Sequence, residues 1–390
     1  MRITGSRVAL AVGVVALALL PSAPADATSG NCRAVTLPVT LEAGEAILSG
    51  DVCHPSRTVG TLGRTVQVLV SGTAYGKDYW DFPYRPHTYS YVRAANAAGF
   101  TTVNVDRLGI GASSRPASDR VTIASNADSI HQVIQRLRTG AVDGVRYDRV
   151  VLVGHSLGSL IAWYEAAQFH DVDAVISSGI LHTFDGPSVA RFGLTLYPAA
   201  FDPRFAGRIT DPGYLTTLPG TRAQSFYYLP NADQQVIDTD EGSKQTATMF
   251  EARDVFVQET PGTLGAARDA LCSALVAMCA GSEAFWYGVT TRIVVPVLTV
   301  IGQYDGLLCG PNGCADVARV RADESNYFRG TAQRCLTLAE VPNTGHDLNL
   351  HRSAPAWFTL ANGWAAAAAE QPVVRPNAPC PVVRSAWASR

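Results

Sequence analysis

One serine of this chain stands where a strand must turn abruptly into a helix. Residues 149–160 read RVVLVGHSLGSL, an apolar run that ends in Gly154-His155-Ser156-Leu157-Gly158 and continues as the helical stretch Leu157–Gln168. A strand that enters Gly-x-Ser-x-Gly and leaves as a helix forces the serine into a strained backbone conformation. Only glycine fits at the close-packed positions two residues to either side. The turn lifts Ser156 Oγ out of the sheet and aims the first turn of the next helix at whatever it attacks. The chemistry on offer is nucleophilic attack on a polarised carbon.

A serine hydroxyl is a weak nucleophile unless a base takes its proton and a third group holds that base in one tautomer. The base belongs in a loop just beyond the last strand, where the chain reads VPNTGHDLNLH. His346, directly after Gly345, is the first choice; His351 is the alternative, a turn or more into the helix expected to follow. His54, His87, His170 and His182 have no comparable placement and read as surface or packing residues. The acid belongs at the end of the preceding strand, where Asp305 closes VLTVIGQYD. Asp185 and Asp316 are its alternatives, since strand-end carboxylates also serve as turn formers and helix caps.

Eight strand-like runs are expected to position these groups: Ala34–Leu41, Ala46–Cys53, Thr65–Ser71, Thr101–Asp106, Arg149–Gly154, Ala174–Ser178, Val294–Ile301 and Cys335–Val341. Helical stretches fall between them at His87–Ala98, Ile123–Arg138, Leu157–Gln168, Cys314–Tyr327 and Leu350–Ala369. Two early strands followed by strand–helix alternation predict an α/β protein with a doubly wound, mostly parallel sheet. Residues 184–292 interrupt that alternation. They read as helical and irregular, with aromatics such as Phe192, Phe226 and Tyr227, and predict a cap over the sheet's C-terminal edge, where such folds bind ligands. The cap divides the core into residues 28–183 and 293–370 and leaves an irregular, proline-rich tail at 371–390.

Arg2 and Arg7, the apolar stretch Val8–Leu20 and the small residues of Ala25-Asp26-Ala27 predict a secretory signal peptide over residues 1–27. Without it the chain has 29 basic and 32 acidic side chains, a balance that gives nucleic acid no electrostatic hold. No other apolar run is long enough to cross a bilayer, so an exported protein with no integral membrane segment is expected. Eight cysteines in an exported chain predict disulfides. Proximity favours Cys32–Cys53, Cys309–Cys314 and Cys335–Cys380. Cys272 and Cys279 would lie roughly 10 Å apart on a straight helix, beyond disulfide reach, so they need a helix break or other partners. The cysteine spacings fit no common zinc pattern, and no metal centre is expected.

The order Ser156, Asp305, His346 on the Gly-His-Ser-Leu-Gly turn resembles the α/β-hydrolase superfamily, and the resemblance covers nearly the whole exported chain. It is similar to the capped, lipase- or esterase-like members. The resemblance implies an eight-stranded sheet, a cap after the sixth strand, and an oxyanion hole of two backbone N–H groups. One donor would be Leu157. The other would come from the loop after the third strand, VLVSGTAYGKDYWDFPY, where Ser71-Gly72 stands in place of the usual His-Gly; Thr73 is the implied donor and Ala74 the alternative. DRLGIGASSRP resembles the family's loop after strand four; its Gly109-x-Gly111 lacks the third glycine of a dinucleotide cradle.

The implied activity is hydrolysis of a carboxylic ester of a small-molecule or lipid-like, fairly apolar substrate through an acyl-enzyme, without a cofactor. Lipase, amidase or peptidase, thioesterase and C–C bond hydrolase chemistry could use the same residues. Halide displacement and epoxide opening call for an aspartate nucleophile, which Ser156 argues against. A catalytically silent member that binds a ligand under its cap is the alternative from another class.

Overall fold

A computed structural model of the chain describes residues 31–42, 44–58, 60–257, 288–314, 316–371 and 379–381. The expected signal peptide, Cys272 and Cys279 lie outside the described residues. In chain order the strands are β1 (Cys32–Leu41), β2 (Gly44–Cys53), β3 (Thr65–Val70), β4 (Thr101–Val105), β5 (Arg149–His155), β6 (Ala174–Ser178), β7 (Leu196–Pro198), β8 (Tyr214–Thr217), β9 (Ala247–Thr248), β10 (Val297–Gly302) and β11 (Thr337–Val341). Eight of them form one sheet in the order β1-β2-β4-β3-β5-β6-β10-β11. Only β2 runs antiparallel to its neighbours; from β4 to β11 every pairing is parallel.

The apolar runs exist because both faces of this sheet are covered, so every residue of a central strand is buried rather than every second one. Val66, Val68, Val70, Val150 and Leu152 face the helices Ile123–Thr139 and Leu157–Phe169. Leu69, Val151 and Val153 point the other way, toward Tyr91–Ala97 and Ala354–Ala369. The Ile123–Thr139 helix is bounded by sequence signals at both ends. Thr122 and Ser125 form a reciprocal capping box at its start, and Gly140 in the left-handed region (φ 79°) ends it.

The structure forms all eight expected strands of the main sheet, with ends shifted by a few residues. Three helices differ more. The run His87–Ala98 is broken at Ser90, which is extended (φ −96°, ψ 111°) and caps Tyr91–Ala97 by accepting the Arg93 N–H. Cys314–Tyr327 contracts to Val317–Ser325, because Asp316 caps it by accepting the Arg319 N–H. The last helix begins at Ala354 rather than Leu350, with Pro355 in its first turn, where no N–H is needed.

Within the inserted segment, the described residues 184–257 hold a small antiparallel sheet, β7-β8-β9, where helix and coil were expected. Strands of two to four residues are too short to show a period. Disulfides join Cys32 to Cys53, Cys309 to Cys314 and Cys335 to Cys380. Among the described residues no helix is long and apolar enough to cross a membrane.

Candidate active site

Ser156 sits between β5 and the Leu157–Phe169 helix with φ 51° and ψ −119°, a conformation few non-glycine residues adopt. The flanking glycines explain how the turn closes. A β-carbon on Gly154 would lie 2.4 Å from the Gly158 carbonyl oxygen, and one on Gly158 would lie 2.2 Å from that of Val70. The serine N–H is held by the Ser178 carbonyl at the end of β6 (2.8 Å). Two neighbouring strands therefore pin the strained residue, and its Oγ is left to project from the sheet's C-terminal edge.

His346 lies in the loop after β11, and its Nε2 is 2.9 Å from Ser156 Oγ. Its Nδ1 is 2.9 Å from Oδ2 of Asp305, three residues beyond the end of β10. Asp305 is fully buried, and its Oδ1 accepts the N–H groups of Leu307 (3.1 Å) and Leu308 (3.2 Å). One carboxylate oxygen is thus fixed by the start of a short helix and the other is turned toward the imidazole. Burial works against a charged His346, but the charge and hydrogen bond of Asp305, with the charge of Asp347, together outweigh it and raise the imidazole above its ordinary range.

The alternatives weighed from sequence have other roles. Asp185 caps the Gly186–Gly193 helix through the Ser188 N–H, and Asp316 is the helix cap described above. His351 precedes the last helix instead of lying within it. Its buried Nε2 accepts the N–H groups of Tyr228 (2.9 Å) and Gly345 (3.2 Å), a bracing role for the His346 loop.

Gly72 runs against the serine turn, for a β-carbon there would meet His155 and Ser156 Cβ at 3.1 Å. The next residues form a turn closed by the Tyr75 N–H on the Gly72 carbonyl (3.3 Å), with Ala74 left-handed (φ 59°). Arg107 donates to the carbonyls of Ser71 and Gly72, both at 2.9 Å, and pairs with Glu251; both side chains are buried. The carbonyls of this loop are thereby drawn to one side. Among the described residues neither the Leu157 nor the Thr73 N–H has a hydrogen-bond partner. Gly109 and Gly111 of the loop after β4 serve packing: a β-carbon on Gly109 would strike the Tyr214 ring at 2.6 Å, and one on Gly111 would strike Asp106 at 2.1 Å.

A second layer of buried polar groups lies beneath, unforeseen in the sequence. His155 Nε2 is 3.3 Å from Asp347 Oδ1, and its ring stacks on Tyr79 (centroids 4.3 Å apart). Tyr75 Oη lies between the carboxylates of Asp347 and Asp240. Asp240 also receives Tyr227 Oη (2.8 Å) and two guanidinium nitrogens of Arg222 (3.0 and 2.7 Å), whose plane lies over the Tyr75 ring. Burial, and after it the Asp240 charge, push the Asp347 carboxyl up to about 8. Burial, with His346 adding to it, pushes His155 well down, so that imidazole stays neutral. His155 and Asp347 adjoin Ser156 and His346 in sequence, which is the one signal that could have found them. Arg222, Tyr227 and Asp240 come from the inserted segment, and no local pattern announces them.

The sequence profile of the Alpha/beta hydrolase family matches residues 67–359, most of the chain. No curated protein matches the chain in sequence. Solved structures similar to it include an E-2-(acetamidomethylene)succinate hydrolase, with 17% identity, a TM-score of 0.49, and 86% of this chain and 100% of that one covered. Another is the esterase domain of a Rhodothermus marinus protein, with 15% identity, a TM-score of 0.48, and 86% and 98% covered. The epoxide hydrolase CorEH matches at 14% identity and a TM-score of 0.47, with 85% and 98% covered.

Proposed function

The chain belongs to the alpha/beta hydrolase family, and from that premise we propose that it is a secreted serine hydrolase cleaving a carboxylic ester of a fairly apolar substrate. One observation carries the reading: the hydrogen-bond chain from Ser156 Oγ through the His346 ring to Asp305, 2.9 Å at each link. His346 Nε2 takes the serine proton as Oγ attacks the ester carbonyl. The resulting oxyanion receives the N–H groups of Leu157 and Thr73, and loss of one such donor costs about 3–4 kcal/mol in the barrier. Asp305 holds the Nδ1 proton and stabilises the imidazolium. That imidazolium protonates the departing alkoxide as its C–O bond breaks, leaving the acyl group on Ser156. Water, deprotonated by His346, then attacks the acyl carbon; the acid departs and Ser156 regains its proton.

In this reading the described part of the inserted segment, residues 184–257, caps the site. Phe226 lies over the His346 ring (5.7 Å between centroids) and packs on Phe192 (5.2 Å), an apolar wall that suits an apolar acyl or alcohol group. Export is supported by the N-terminal pattern of charge and hydropathy and by the disulfides. A lipase reading draws on a different observation. Leu194 (81% exposed), Phe201 (76%) and Leu229 (54%) project into water from the inserted segment, as suits contact with aggregated lipid.

Hydrolysis of p-nitrophenyl esters from acetate to palmitate by the purified protein tests both. Turnover by the native enzyme and none by a folded Ser156→Ala variant is the expected result, with the chain-length optimum sizing the pocket. A rate that jumps once the substrate aggregates selects the lipase reading. Full activity in Ser156→Ala, or no labelling of Ser156 by a fluorophosphonate, overturns the serine mechanism.

A further inference from the structure

The helices Ile123–Thr139 and Leu157–Phe169, packed on one face of the sheet, bring together His131, Glu165 and Asp171. His131 Nδ1 is 2.8 Å from Asp171 Oδ2 and 4.0 Å from Glu165 Oε1. One donor atom from each of the three lies within 4.8 Å of the others. The cluster is separate from the serine site. Glu165 is placed about 13 Å beyond Ser156 along the helix, at about 1.5 Å of rise per residue.

Glu165 is the anomaly in this cluster. Its side chain is 0% exposed, yet among the described residues neither carboxylate oxygen has a hydrogen-bond partner. Asp171 Oδ1 lacks a partner too, while its Oδ2 accepts from Gln135 Nε2 (2.5 Å). Arg138 bears on Glu165 electrostatically, but its hydrogen bonds go to the carbonyls of Asp148 and Asp171 and to the Asp173 carboxylate. A buried carboxylate with no donor is unfavourable unless a proton or a cation sits on it.

We propose that His131, Glu165 and Asp171 form a binding site for a divalent transition-metal ion of the zinc type. One imidazole nitrogen with two carboxylate oxygens suits zinc, whereas calcium takes six to eight oxygens. Tetrahedral ligands about 2.0–2.1 Å from zinc stand about 3.3 Å apart. The separations of 2.8 and 4.0 Å bracket that value and all three donor atoms lie within 4.8 Å of one another, so side-chain shifts of no more than about 1.5 Å would close the site. The His131 ring stacks on Phe169 (centroids 3.9 Å apart, 12° between planes), which fixes the direction of Nδ1. The His131 and Asp171 side chains remain 26% and 15% exposed, which leaves a fourth position for water. The sequence predicted no metal centre because the three residues lie on two helices and a turn, with no ligand spacing to read.

The test is a calorimetric zinc titration of the EDTA-stripped protein, with bound metal counted after gel filtration and Tm measured with and without zinc. One zinc per chain and a raised Tm are expected. His131→Ala and Glu165→Gln should each weaken binding at least tenfold, with p-nitrophenyl ester turnover changed less than twofold. Asp171→Asn, at the more exposed edge, serves if a buried change unfolds the chain. Absence of saturable binding, or wild-type affinity in all the variants, overturns the proposal. So does a Tm that ignores zinc in the native protein and rises in Glu165→Gln, which assigns Glu165 to a proton shared with Asp171.

Discussion

In the proposed mechanism His346 accepts the serine proton only when it is neutral, and its surroundings favour the opposite state. Burial disfavours the imidazolium, but Asp305, through charge and hydrogen bond, and Asp347 together favour it more, and the net shift is upward from 6.5. Turnover should therefore fall on acidification along a limb centred above 6.5. Asp305→Asn removes the charge, so a pH–rate profile should show that limb moved down and kcat lowered on the order of 10⁴-fold. The amide oxygen can still accept from Leu307 and Leu308, so the fold should survive. Asp347 makes a different prediction, this time on stability. Its carboxyl is raised from 3.8 to about 8, so between those values the unfolded chain has lost a proton that the native one keeps. Stability contributed there is complete at low pH and drains away as pH rises toward about 8. Asp347→Asn should flatten that slope and raise the urea midpoint at pH 8 relative to the native protein; an unchanged slope would remove Asp347 from the account.

At the scale of elements, the loop after β3 depends on a side chain it does not contain. Arg107, from the loop after β4, holds the Ser71 and Gly72 carbonyls and is itself balanced by Glu251 of the inserted segment. Removing one member of a buried pair leaves the other charge uncompensated, so Arg107→Ala should cost about 3–5 kcal/mol. Adding Glu251→Gln should recover part of that stability in urea melts. It should not restore ester turnover, because the two loop carbonyls still lack their donor. Recovery of both together would reduce Arg107 to a structural pair. The contrast marks where sequence is informative. Ser156 and Asp305 each follow a buried apolar strand, legible because helices cover both faces and force runs of Val, Leu and Ile, whereas the edge strand before His346, TLAEV, is short and part-exposed. The Arg107–Glu251 pair joins residues 144 apart with no periodic signal between them. Ser90 broke a helix for a local reason that composition hides: its Oγ donates to Asp81 (2.6 Å) while also capping the next helix.

At the scale of the whole molecule, the inserted segment is bound to the His346 loop rather than merely laid over it. The Asp347 N–H donates to the Phe226 carbonyl (3.1 Å), and a β-carbon on Gly345 would strike the Tyr228 nitrogen at 2.6 Å. The candidate site therefore lies where the inserted segment meets the His346 loop, and strand β1 lies at the far edge of the sheet. Edge strand β1 is separated from β5 by β2, β4 and β3, and it is tied to β2 by Cys32–Cys53, which face each other in register. That bridge spans a sequence separation of 21, for which restriction of the unfolded chain stabilises by about 3 kcal/mol. Replacing both cysteines with serine should lower the urea midpoint by an amount worth about 3 kcal/mol while kcat and KM on a p-nitrophenyl ester stay within twofold. The hairpin itself should persist, because its ladder runs the full length from Cys32↔Cys53 to Leu41↔Gly44. A loss of turnover equal to the loss of stability would instead mean that strain at this edge reaches Ser156 through three intervening strands.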